Sequence, residues 1–241
     1  MKLICFTYAG GTGDFFQILE PELGGEIQLV CPDYAGHGKR RKEPFYRDFD
    51  QLADDLYQAV CAETSDGSDY SLLGYSMGSI SAAEMLKRII AKDEIPLPKH
   101  IFLFAHEPHT KLELSGYSSG ELDDLVKERT IRFGGLPESM INNPVFWRMQ
   151  LPLFRADYGL IGDYDFNSLN LKTNIPATVF YSETDTPLSE MLAWKNYFIG
   201  ECEFKCYSGN HFFIREHVGE IASVIRNLKI NNSQWKRNYI S

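Results

Sequence analysis

The sequence predicts an α/β fold: a mainly parallel, doubly wound sheet that carries a helical insertion. Three observations predict it. Short apolar runs alternate with longer segments of helical period. The 241 residues, 44% of them hydrophobic, suit one core with a small insertion. One stretch, about residues 107–165, breaks the alternation and contains no convincing strand.

Six runs read as strands: Leu3–Tyr8, Ile27–Cys31, Tyr70–Leu73, His100–Ala105, Ala177–Tyr181 and Glu203–Tyr207. Between them, Phe49–Glu63 places Leu52, Ala53, Leu56, Ala59 and Val60 at helical spacing. Ser79–Ala91 does the same with Ile80, Ala83, Met85 and Leu86, and Glu216–Leu228 with Val218, Ile221, Ala222, Ile225 and Leu228. Right-handed crossovers then place helices on both faces of the sheet. No repeat or low-complexity linker divides the chain, so 1–241 reads as a single domain.

The insertion opens on polar Ser115–Asp124. It continues through helix-like Leu122–Phe133 and Gly134-Gly135-Leu136-Pro137, then an apolar run from Val145 to Phe154. Long insertions at the carboxyl edge of a sheet are commonly lids or binding elements. The competing reading is a helical subdomain that only packs.

Composition excludes several classes. No stretch of about 18 apolar residues exists to span a bilayer. The opening Met1-Lys2-Leu3-Ile4-Cys5-Phe6 is too short for a signal-peptide core and reads as a first strand. Five cysteines, an odd number, fit a reducing cytoplasm. Cys202 and Cys206 lack a second ligand pair for zinc, and His106-Glu107-Pro108-His109 lacks the helical spacing of a zinc-protease motif. No metal is expected. A net charge of −9 argues against nucleic acid as the main partner. The basic run Lys39-Arg40-Arg41-Lys42 is a local exception, either a solvated loop or a docking patch.

The chemistry centres on Gly74-Tyr75-Ser76-Met77-Gly78, a G-x-S-x-G pentapeptide between a strand and a helix. A serine on so sharp a turn is strained, with its hydroxyl pushed out of the sheet. A serine nucleophile needs a base, and the base an orienting carboxylate. Asp185 follows the strand ending at Tyr181, and His211 follows the strand ending at Tyr207. Loops at parallel-strand carboxyl ends share one rim, so both can meet Ser76 there. Asp185 could instead cap the next helix, with Glu183 a rival carboxylate. His106 and His109 are rival bases because they also follow a strand; His37, His100 and His217 compete less well. Gly10-Gly11-Thr12-Gly13 follows the first strand without dinucleotide-binding spacing. It is expected to shape an oxyanion hole, with the Ala9 and Met77 N–H groups as donors.

These residues resemble a type II thioesterase, the stand-alone editing thioesterase of nonribosomal peptide and polyketide synthesis, within the α/β-hydrolase superfamily. The resemblance covers nearly the whole chain. Cys5-Phe6-Thr7-Tyr8-Ala9-Gly10-Gly11 is similar to the family's opening P-x-A-G-G, and Pro32–Arg40 to its P-G-[RH]-G-x-R loop. Gly74–Gly78 matches its G-[HY]-S-M-G elbow. Phe133–Pro137 and Leu151-Pro152-Leu153-Phe154-Arg155-Ala156-Asp157-Tyr158 are similar to its lid signatures, and Gly209–Phe213 to its G-x-H-F-F segment. Three positions depart. Thr7 stands for proline, Tyr75 for the commoner histidine, and Ala105–His109 for a small S-G-type turn.

The resemblance implies hydrolysis of acyl groups from the phosphopantetheine arm of acyl or peptidyl carrier domains. It implies no cofactor, because the arm belongs to the carrier. Trp147, Met149 and Phe154 would line the acyl pocket, with Phe146 and Leu153 beside them. Lys39, Arg40, Arg41 and Lys42 would contribute positive surface for an acidic carrier. A monomer is expected. The competing readings are a small-molecule carboxylesterase and a catalytically silent binding protein.

Overall fold

The structure, a computed structural model, describes residues 1–109 and 119–227. Ser115–Ser118 of the insertion and Leu228 of the last predicted helix lie outside the described residues. The strands are β1 (Lys2–Phe6), β2 (Gln28–Val30), β3 (Tyr70–Tyr75), β4 (Ile101–Phe104), β5 (Ala177–Tyr181) and β6 (Cys202–Cys206). They form one sheet in the order β2-β1-β3-β4-β5-β6, every neighbouring pair parallel. The chain moves outward from β1 to β2, then returns to β3 and continues the other way. The winding therefore reverses between β1 and β3, and the crevice outside their carboxyl ends is where such sheets hold ligands.

Helix α1 (Glu20–Leu23) lies in the connection from β1 to β2. Alternation along each strand supplies two cores. Ile4, Phe6, Leu72, Leu103 and Val179 face one side, packed with α2 (Phe49–Thr64) and α3 (Met77–Lys92). Leu3, Cys5, Leu73, Phe102 and Phe104 face the other, against the short helix Gly13–Leu19 and the helix at 218–227. Asp48 starts α2 by accepting the Gln51 N–H at 2.8 Å. On the second side Phe104 and Phe180 stack at 4.2 Å, and Tyr75 stacks on Phe104 at 5.4 Å. These rings lie beneath the carboxyl rim of the sheet, which couples core packing to the placement of the loops there.

Between β4 and β5 the insertion contributes α4 (Ser119–Arg132), α5 (Glu138–Ile141) and α6 (Pro144–Asp163). The insertion has a small core of its own, in which Val126, Trp147, Leu151 and Phe154 are buried. Arg155 of α6 pairs with Asp123 of α4 and joins the two helices across their exposed edge. No helix among the described residues is long and apolar enough to cross a membrane.

The turn from β3 into α3 is packed backbone against backbone. Ser76 sits at φ 54, ψ −118. A Cβ at Gly74 would lie 2.1 Å from the Gly78 carbonyl oxygen, and one at Gly78 would lie 1.9 Å from that of Phe6. Both neighbours are backbone, so neither can swing aside. Gly78→Ala must push α3 away from β1. The expected loss is about 1–3 kcal/mol of stability. It would be read as a lower urea midpoint at unchanged slope. An unchanged midpoint would show that the contact relaxes freely.

Candidate active site

The site stands on four loops at the carboxyl rim. At the first, the strained turn projects Ser76 from the end of β3. Its own N–H donates to the Phe104 carbonyl at 2.8 Å. Ser79 Oγ accepts the Phe104 N–H at 3.0 Å and reaches the Gly74 carbonyl at 2.9 Å. Those bonds lock the turn to β4. Met77 opens α3, so its N–H has no preceding helical turn to serve as acceptor and is free to face a ligand.

The next two loops carry the candidate acid and base. Asp185 Oδ2 lies 2.9 Å from His211 Nδ1, with both side chains less than a tenth exposed. A carboxylate can only accept, so Nδ1 carries the hydrogen and Nε2 is left for the reacting group. The acid loop is tied to the histidine loop by Ser182 Oγ and Thr184 Oγ1, which donate to the Gly209 carbonyl at 2.6 and 2.7 Å. Tyr75, buried beside Ser76, donates its hydroxyl to the His211 carbonyl at 2.6 Å. Burial holds that phenol well above the usual tyrosine range, so it stays a donor.

The rivals fall elsewhere. Exposed Glu183 turns toward the Leu188 N–H, 3.4 Å away at the start of the next helix, and leaves Asp185 to His211. Burial, helped by His109, pushes the His106 imidazole down to about 3, and its Nδ1 meets the Glu107 carbonyl at 2.7 Å. Among the described residues, no carboxylate is hydrogen-bonded to His106. Ala105 before it adopts φ 51, the left-handed region that a glycine would fill more easily. His100 bonds Thr178 at 2.9 Å, and His217 bonds the Ser208 carbonyl at 3.0 Å. Among the described residues, no three His, Cys, Asp or Glu side chains converge as a metal site.

The fourth loop follows β1. The Gly11 N–H donates to the Tyr8 carbonyl at 2.9 Å, and Gly10 sits at φ 80, which closes a tight turn around Ala9. Ala9, Gly10, Ser76 and His211 all line one cavity of about 140 Å³, roofed by insertion residues. Phe133 stacks on the His211 ring at 4.0 Å and 19°. Gly134 and Gly135 let the following chain close on Asn210 and Phe212, which a Cβ at either would strike.

The insertion residues divide. Phe154 and Phe146 line the cavity. Trp147 and Met149, expected beside them, do not. The Trp147 indole turns inward among Val126, Leu151 and Phe154 and donates to the Ile141 carbonyl at 2.8 Å. Met149 points to solvent, 69% exposed. Leu153 packs against the insertion core. In the basic run, Lys39, Arg41 and Lys42 are exposed, but Arg40 is committed to Glu43 at 2.6 Å and Asp55 at 2.5 Å. Arg40 therefore pins its loop to α2 and is not available to a partner.

Sequence reasoning missed four contributors: Tyr75 as a brace of the histidine loop, Phe133 as a cover on His211, and the pair Asp157 and His37. The last pair left a signal. Asp157 lies on the same buried stripe of α6 as Phe154, Leu160 and Ile161, where an unpaired carboxylate is costly.

A parallel sheet with helices on both faces and a serine at the β3 turn defines the α/β-hydrolase fold. The chain belongs to the Thioesterase domain family, whose model matches residues 1–228. It is 26% identical over 244 residues to the rat (Rattus norvegicus) S-acyl fatty acid synthase thioesterase, medium chain, covering all of this chain and 86% of that one. It is 26% identical to Thioesterase TesA of Mycobacterium marinum, over 92% of this chain and 88% of the relative. Among solved structures, RedJ, a thioesterase from the prodiginine biosynthetic pathway in Streptomyces coelicolor, superposes with a TM-score of 0.78 at 26% identity. That match covers 94% of this chain and 85% of RedJ.

Tyr75→Phe removes the brace and leaves the His211 carbonyl buried without its donor. The expected cost is about 1–3 kcal/mol in chemical denaturation. A cost near zero would show that the histidine loop holds itself.

Proposed function

We propose that this protein is a stand-alone serine thioesterase that removes acyl groups from the phosphopantetheine arm of carrier domains. It would thereby clear misprimed or stalled nonribosomal peptide and polyketide synthases. The observation that carries the reading is that His211, paired with Asp185 at 2.9 Å, lines the same apolar cavity as Ser76. Membership of the thioesterase family supplies the bond type.

In this reading Ser76 Oγ attacks the thioester carbonyl while His211 Nε2 takes its proton. His211 then protonates the departing thiolate, and Asp185 stabilises the imidazolium between the two steps. The Ala9 and Met77 N–H groups bind the developing oxyanion, each contributing about 3 kcal/mol to the transition state. Water, activated by the same imidazole, hydrolyses the acyl-enzyme. Serine, imidazole, carboxylate and amides suffice for these steps. The pantetheine arm arrives with the carrier and no resident cofactor takes part.

Phe154 and Phe146 would contact the acyl group, and Phe133 would shield His211 from bulk water. Lys39, Arg41 and Lys42 would offer an acidic carrier a positive edge. Five unpaired cysteines suit work in a reducing cytoplasm, with the protein acting as a monomer.

Acetyl release from an acetyl-phosphopantetheinyl carrier domain tests the reading. Ser76→Ala should lower kcat by up to about 10⁶-fold, as loss of a triad nucleophile does. Turnover of oxygen esters with no release from any carrier would favour the carboxylesterase. Absence of any Ser76-dependent turnover would favour a silent binding protein. Reversing charge at Lys39, Arg41 and Lys42 should raise KM for acyl-carrier several-fold while leaving free acyl-pantetheine unaffected. Equal effects on both substrates would contradict the docking role.

A further inference from the structure

Asp157 belongs to the insertion, yet its partners do not. Its Oδ2 accepts the Gly10 N–H at 2.6 Å and lies 2.9 Å from His37 Nε2. Gly10 comes from the loop after β1 and His37 from the loop after β2, so one carboxylate oxygen joins three separate parts of the chain. Both side chains of the pair are almost fully buried, His37 at 1% exposure and Asp157 at 3%. A buried carboxylate with no such partners would be expelled or neutralised.

Hydrogen-bond inventory fixes the charge of the pair. His37 Nδ1 lies 3.0 Å from the Ala35 carbonyl, which only accepts. Nε2 faces a carboxylate, which also only accepts. An imidazole can satisfy both only by donating from both nitrogens, as the imidazolium. Burial pulls its proton affinity down. The Asp157 hydrogen bond and charge, the Ala35 carbonyl and the charge of Asp33 together outweigh burial, so the balance is upward. Among the described residues, those two carboxylates are the charged groups that raise the ring's proton affinity. Tyr34 and Phe45 present neutral ring edges.

The Gly10 amide is part of the turn around Ala9. Phe154, one helical turn before Asp157, packs against the same glycine, where a Cβ would lie 2.1 Å from its ring. α6 thus holds the turn at two points, one polar and one apolar.

We propose that Asp157, held by His37, is a positioning residue for the oxyanion hole. It clamps the Tyr8–Gly11 turn so that the Ala9 N–H faces the acyl oxygen. Because Asp157 rides on α6, the hole is complete only while the insertion is docked. The inference rests on the reading of Ala9 as an oxyanion donor and of Ser76 as the nucleophile. A group whose folded-state affinity for a proton is raised stabilises its contacts below its unfolded pKa and loses them as pH rises through the folded value. The clamp therefore weakens on the alkaline side, where the Nε2 lone pair would face the carboxylate.

Reaction of Ser76 with a fluorophosphonate tests the clamp without a choice of acyl substrate. The serine oxygen displaces fluoride at phosphorus, and the phosphoryl oxygen takes the place of the oxyanion. Maximal rate (kinact) and half-saturation (KI) are read separately. Asp157→Ala should lower kinact by about 10–100-fold, less than or equal to deletion of one donor, with KI changed less than about threefold. Asp157→Asn, which keeps an oxygen for the Gly10 N–H, should recover most of kinact and lose the alkaline decline. His37→Gln, which keeps a neutral donor toward Asp157, should also lose that decline. Should Asp157→Ala fail to fold, the Asn and Gln variants decide alone. A labelled wild type with kinact unchanged in Asp157→Ala, or an unaltered alkaline decline in Asp157→Asn, would overturn the clamp. A wild type that does not label at Ser76 would overturn the nucleophile assignment, and the clamp with it.

Discussion

The backbone at Ser76 is the constraint on which the rest of this structure depends. A non-glycine residue at φ 54, ψ −118 is unfavourable by about 1–3 kcal/mol. It persists because its surroundings leave no other path. Gly74 and Gly78 let β3, β1 and α3 approach until backbone meets backbone. Ser79 and the Phe104 carbonyl then fix the turn to β4. The strain lifts the serine above the sheet at the point where α3 begins, so the first amide of that helix, on Met77, lies next to it in the chain. In the proposed mechanism, nucleophile and one oxyanion donor are thus products of one local geometry.

Everything else at the rim is brought to that point by loops that brace one another. The histidine loop is held from the elbow side by Tyr75 and from the acid side by Ser182 and Thr184. The insertion then closes from above, with Phe133 on the imidazole and Phe154 on the Gly10 turn. Asp157 completes this closure with charge rather than shape. Buried ion pairs contribute little net stability against an apolar replacement. A role in setting geometry accounts better for a pair placed there, because the Gly10 N–H and His37 Nε2 fix the direction of the carboxylate oxygen.

Much of this was legible in the sequence because the information is local. The G-x-S-x-G turn, the strands and the loop positions of Asp185 and His211 each follow from residues within a few places of one another. The rim was legible because parallel strands must end together. Other features were not. The run from Val145 to Phe154 is apolar almost all round, so helical phase cannot say that Trp147 faces the insertion core while Phe154 faces the cavity. Arg40 reads as a free cation until Asp55, fifteen residues on, is seen across the loop. The His37–Asp157 contact spans 120 residues, and only the buried stripe on α6 hinted that the carboxylate needed a partner.

The central claim is that acyl transfer passes through a covalent intermediate on Ser76. An acyl-enzyme has already lost its thiol and cannot remember which one it was. Partition of the acyl group between water and added hydroxylamine tests this directly. The same acyl group would be delivered from a carrier-bound arm, from free pantetheine and from a simple thiol. The account predicts one ratio of hydroxamate to free acid for all three donors. A ratio that changes with the leaving thiol would mean that water or hydroxylamine attacks the thioester itself, and would contradict a Ser76 intermediate.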